Sequence, residues 1–156
     1  MELNIDVQMA LTQDDPTLPD ENDISTWAQA ALLAAGHTKP SEITVRFVES
    51  EEIQELNRDY RHIDKPTNIL SFPFECPPEV QLPLLGDLVI CPAVLHREAM
   101  EQGKSVSEHC AHLIVHGCLH LLGYDHIKDD EAAVMEALES KIVMSLGFAD
   151  PYLAEK

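Results

Sequence analysis

The chain has 156 residues, 45% of them hydrophobic and 24% charged, which is enough for one soluble globular domain over residues 1–156 with a sizeable buried core. Its formal net charge is −18, from 28 acidic and 10 basic residues, and taken alone this repels polyanions and argues against a nucleic-acid binder. No apolar run approaches the ~20 residues that span a bilayer. The opening MELNIDVQMALTQDD has neither the basic start nor the apolar run of a signal peptide, so a cytoplasmic protein with no membrane partner is expected.

In chain order, residues 3–9 alternate apolar and polar and predict a first strand. After a polar loop with Pro16 and Pro19, residues 24–35 predict a helix behind an Asp23 N-cap, closed by Gly36. Residues 43–49 are a β-branched alternating strand, and Ser50 opens a helix with early acids, SEEIQELNRDYR. Residues 68–75 and 86–91 read as two further strands, with Pro73 placing the end of the first at a sheet edge. Three helices complete the chain: residues 92–102, a helix capped by Ser105 or Ser107 that runs to Leu122, and one from Asp129 or Asp130 to about Leu146. Strands interleaved with helices, then helices alone, give an α+β fold: a small mixed sheet of about four strands surrounded by about five helices.

Charge is unevenly spread. Residues 1–38 contain no Lys or Arg, whereas RDYRHIDK (58–65) holds three of the ten, so the segment around Arg61 offers a local anion site or merely a solvated face. Cys76, Cys91, Cys110 and Cys118 form no CxxC pair and read as reduced thiols.

Five of the eight histidines fall between His109 and His126. On a helix, residues four apart are separated by about 40° and ~6 Å, so His116 and His120 project side by side. His109 and His112 share their stripe, within about 80°. The remaining helix residues are nearly all apolar, which predicts a buried helix whose histidines need partners. Gly123 allows the chain to reverse, so that His126 swings back beside the pair. Three imidazoles leave an open fourth position on a tetrahedral metal, as catalytic sites do. His109 and His112 are expected around the ligands rather than among them, and His37, His62 and His96 on the surface.

The pattern HxxxHxxGxxH shares its skeleton with the metzincin peptidase motif, but Gly117 stands where those enzymes carry a glutamate base. Losing that group costs about 10²–10⁴-fold. Phosphodiester hydrolysis makes a different demand: a metal that brings the pKa of water to ~7 needs no dedicated base. It needs instead a group such as arginine to hold the phosphoryl oxygens.

HGCLHLLGYDH (116–126), preceded by LNRDYRHIDKPTNILSFPFE and LLGDLVI, resembles the YbeY family of bacterial rRNA maturation endoribonucleases, over about residues 43–147. The resemblance implies a single-metal endoribonuclease, usually zinc-bound, that acts on single-stranded RNA in rRNA processing and ribosome quality control, with rRNA and the ribosome or its proteins as partners. By position it makes His116, His120 and His126 the metal ligands and Arg61 the arginine beside the metal cleft. Three histidines suit zinc, and also nickel, cobalt or iron. Thr67, Asn68 and Ser71 are cleft-lining or strand residues, and Asp87 is either the acceptor that orients a ligand histidine or a strand terminator. Trp27 and Phe47 are assigned to the core. Two alternatives stand beside this reading: a zinc peptidase, and a metal-stabilised ribosome assembly factor whose site is closed by a fourth protein ligand such as Asp125 or Cys118.

Overall fold

The structure is a computed structural model that describes residues 2–74, 83–124 and 129–152. Strands β1 (Leu3–Ala10) and β2 (Ser41–Val48) form where apolar and polar residues alternate. In β2 the alternation is nearly perfect: Ser41, Ile43, Val45 and Phe47 are buried, and the residues between them are half-buried. A period of two sends these side chains to one face of the sheet, where the core lies.

Between the two strands runs α1 (Glu21–Ala34), which buries Ile24, Trp27, Ala28, Ala31 and Leu32. It starts one turn earlier than its apolar periodicity. Asp20, not Asp23, is the N-cap, and its carboxylate accepts the Asp23 N–H at 2.8 Å. The first turn is polar and exposed, and its acids suit the positive end of the helix dipole, so hydrophobic spacing alone does not reveal it.

Helix α2 (Ser50–Arg61) begins at the expected residue, with Glu49 as its cap. The Glu49 carboxylate is held elsewhere, by the N–H and hydroxyl of Thr12. β3 (Ile69–Pro73) and β4 (Leu84–Ile90) complete a sheet in the order β1-β2-β4-β3. β1, β2 and β4 run parallel, and β3 is antiparallel to β4 and forms one edge. Helices α3 (Pro92–Gln102), α4 (Val106–Leu121) and α5 (Asp129–Ser145) follow, which makes the α+β arrangement of four strands and five helices expected from the sequence.

Ser105 is the residue that caps α4, accepting the Glu108 N–H at 3.0 Å. This helix is the centre of the molecule and packs against α1, α3, α5, β3 and β4. Trp27 and Phe47 are both core residues, as expected. Among the described residues no helix is long and apolar enough to cross a membrane.

Candidate active site

The histidine stripe is real. Along α4 the rings of His109, His112, His116 and His120 follow one another edge to face, with centroid separations of 6.4, 6.4 and 4.5 Å. At the end of the stripe the Nε2 atoms of His116 and His120 face each other at 3.0 Å. α4 then closes as the sequence anticipates. Gly123 takes φ +101°, its N–H donates to the His120 carbonyl, and the Tyr124 N–H donates to the Leu119 carbonyl, both at 3.0 Å. That pair of bonds is the Schellman arrangement, which turns the chain back on itself. His126 and Asp125 lie outside the described residues.

The group that orients His116 was not visible in the sequence. Glu139 of α5 is fully buried and accepts hydrogen bonds at both carboxylate oxygens. His116 Nδ1 and His112 Nε2 bind Oε1 and Oε2 respectively, the latter at 2.9 Å, and the Tyr152 hydroxyl also donates to Oε2. Burial alone would raise the Glu139 pKa, but these hydrogen bonds and the nearby His116 outweigh it and hold the carboxyl at about 2. An ionised carboxylate only accepts, so the proton of His116 sits on Nδ1 and its Nε2 turns a lone pair toward His120.

These residues fit a metal. Two imidazole nitrogens at 2.0–2.1 Å from a tetrahedral zinc lie about 3.3 Å apart, so the 3.0 Å pair needs to open by only a few tenths of an ångström. A carboxylate behind a ligating histidine is also the usual support of such sites. Among the described residues no third His, Cys, Asp or Glu completes a ligand set with them.

His116 and His120 open into a cavity of about 790 Å³ whose wall includes Arg61, Asn68, Ser71 and Tyr124. Arg61 ends α2, is exposed, and among the described residues takes part in no ion pair; Arg58, by contrast, pairs with Asp59. β3 supplies the long side of the cavity through its outer edge. Cys91 donates to Asn68 and Phe74 to Leu85, so antiparallel alternation turns the N–H groups of Ile69 and Ser71 away from β4. The first is taken by the Asn68 side chain at 2.7 Å.

With this geometry in place, the chain matches the family of the endoribonuclease YbeY over residues 8–147. The chain belongs to that family. Membership implies an endoribonuclease, a hydrolase acting on RNA, with a role in rRNA processing. The chain is also similar to the solution structure of TM1509 from Thermotoga maritima. That likeness has 25% identity and a TM-score of 0.60, and covers 94% of this chain and 97% of the other.

Other sequence candidates fall elsewhere. Asp87 points away from α4 and its histidines. It pairs with Thr44 and Phe72 across the sheet and lines a separate cavity. Its neighbour Leu88 faces α4, touching the position where Gly117 would carry a Cβ, so alternation points Asp87 the other way. It is Glu139 that bonds to His116. His112 supports the site through Glu139, whereas buried His109 joins a different group, bonding to Glu98, which also accepts from Asn68. His96 pairs with Asp15, His37 bonds to Ser41, and His62 is exposed. Cys91, Cys110 and Cys118 are free and buried. Burial pushes the thiols of Cys110 and Cys118 up to about 12, so they stay protonated at neutral pH. Cys76 lies outside the described residues.

Gly117 decides against the peptidase arrangement. A Cβ there would come within 2.7 Å of the Leu88 side chain and 3.0 Å of Ile69. Position 117 therefore faces the sheet, and a side chain there would have to displace Leu88 and Ile69.

The Glu98 group gives the fold a pH dependence. Burial raises the Glu98 pKa, but hydrogen bonds from His109 and Asn68 outweigh it and leave the carboxyl below its ordinary value. A depressed pKa means stabilisation that is complete above the unfolded-state value and lost as pH falls through the folded one. Thermal unfolding between about pH 5 and pH 3 should thus show a steeper loss for the wild type than for Glu98→Gln. Equal slopes would remove Glu98 from this role.

Proposed function

We propose that residues 1–156 form one metal-dependent hydrolase domain that cleaves single-stranded RNA in the cytoplasm, in rRNA maturation and ribosome quality control, with rRNA and the ribosome or its proteins as partners. His116, His120 and His126 would hold one divalent ion, zinc or else nickel, cobalt or iron. Arg61 would bind the scissile phosphate. The observation that carries this reading is the facing pair of ring nitrogens on His116 and His120, braced by Glu139 and opening into the cavity that Arg61 lines.

When bound, the ion would supply Lewis acidity and lower the pKa of water toward ~7. The chain's own residues do the rest. Glu139 fixes the tautomer and direction of His116, so that a ring nitrogen and not a proton faces the cavity. Arg61 stays protonated throughout, and its planar fork can grip two phosphoryl oxygens as negative charge grows on them. Ser71, with its N–H turned outward from the edge strand, adds a neutral donor on the same wall.

The acidic exterior fits a limited contact with RNA. A cavity of about 790 Å³ suits a short stretch of strand. The test offers the purified protein one RNA sequence in two forms, single-stranded and fully paired, with and without a chelator. Cutting of the single strand, sparing of the duplex and loss of activity on chelation are expected. Equal cutting of both forms would overturn the substrate assignment, and cutting that survives chelation would overturn the metal.

A further inference from the structure

Helix α2 buries Ile53 and Asn57, and the next position on that stripe is Tyr60, at the helix end. Nothing covers it: Tyr60 is 66% exposed. Its ring is nevertheless held, meeting Phe72 of β3 edge to face with centroids 5.0 Å apart and planes 70° apart. The chain has only four Phe, three Tyr and one Trp, yet Tyr60, Phe72 and Tyr124 all line the cavity that contains His116, His120 and Arg61.

We propose that Tyr60, braced by Phe72, is a stacking platform for a nucleobase next to the scissile phosphate. The inference rests on reading this cavity as the RNA-cleaving cleft. Two physical arguments support it. A chain of net charge −18 gains little from long-range attraction to RNA, so binding must draw on a term that charge does not oppose. Stacking on an aromatic face is such a term, and it tolerates any base because every base has a π-face. The second argument is placement. Arg61 follows Tyr60 directly, about 100° further round the same helix end, so one residue can hold a phosphate while its neighbour holds a base of the same strand. A base fixed in this way also limits how far the phosphate can drift from the histidines.

The experiment measures equilibrium binding of a single-stranded RNA carrying 2-aminopurine, in chelator so that the strand stays intact, for wild type, Tyr60→Phe and Tyr60→Ala. The wild type should quench the 2-aminopurine emission at one position of the strand, and Tyr60→Phe should preserve both quenching and affinity. Tyr60→Ala should lose the quenching and bind about thirtyfold more weakly, the middle of the range for one stacked base. Its dependence of log Kd on log salt should match that of the wild type, because no phosphate contact is removed.

Unchanged affinity and quenching in Tyr60→Ala would overturn the platform, as would a wild type that does not bind the strand. Because the readout needs no turnover, the two readings fail separately. A wild type that stacks the base but never cuts RNA contradicts the nuclease reading alone. A wild type that cuts RNA while Tyr60→Ala binds equally well contradicts the platform alone.

Discussion

Glu139→Gln should weaken metal binding about 10–100-fold, the usual effect of losing the carboxylate behind a ligating histidine. Glutamine fills the same space, so the loss is chemical rather than steric. The carboxylate accepts from His116, His112 and Tyr152 at once. An amide keeps one acceptor and turns its NH₂ toward groups that are themselves donors. His116 is then released to the other tautomer, with a proton where a lone pair is needed. Glu139→Ala should add a loss of stability, because His112, His116 and the Tyr152 hydroxyl would lose a shared buried partner, at about 1–3 kcal/mol for each donor left unsatisfied. Metal titration against a competing chelator, with thermal unfolding of the same samples, measures both effects. Wild-type affinity in Glu139→Gln would show that the carboxylate serves the fold only.

Arg61→Ala should leave metal content and unfolding temperature unchanged while lowering kcat/KM by about 10²–10³, the range for removing one donor that faces developing charge. Stability should not move, because Arg61 is exposed, sits at the last turn of α2 and joins no ion pair among the described residues. Arg61→Lys should fall between the two, since lysine restores the charge without the planar fork. The informative comparison is cleavage rate against metal stoichiometry in a single preparation. Loss of both together would make Arg61 a structural residue, and loss of neither would remove it from the site.

The parts of this site that lie on one element were readable from the residues, and those that need two elements were not. His116 and His120 are four apart on one helix, so their meeting follows from helical geometry, and Gly123 announces the reversal that the Schellman bonds then make. Arg61 and the strand Ile69–Pro73 reach the same cavity only through the packing of α2 and α4 on opposite faces of the sheet. The basic segment RDYRHIDK marked Arg61 as a local anion site or a solvated face, but its place beside the histidines, like that of the strand, rested on family resemblance.

Glu139 shows what a closer reading offers. It lies between Met135, Ile142 and Val143, all buried and all at helical spacing from it, so it is a lone acid on an apolar stripe. Such a residue must have buried partners, and a helix already crowded with histidines is the natural place to seek them. The two roles open to Asp87 could not be separated from the residues, because only the packing shows that Leu88 beside it faces α4. The Asp20 cap is a similar case, since the polar first turn of α1 carries no hydrophobic signal. His126 lies outside the described residues, and its role rests on spacing and resemblance.

The dependence of RNA cleavage on a metal held by His116 and His120 is the step on which the proposed activity turns. Its most direct test is elemental analysis and single-stranded RNA cleavage on the same preparations of wild type and His120→Ala, each before and after chelation and metal return. About one divalent ion per wild-type chain is expected, with cleavage that disappears and returns with that ion, and neither metal nor cleavage in a folded His120→Ala. Wild-type cleavage by His120→Ala, or a fully metal-loaded wild type that cuts no RNA, would contradict it.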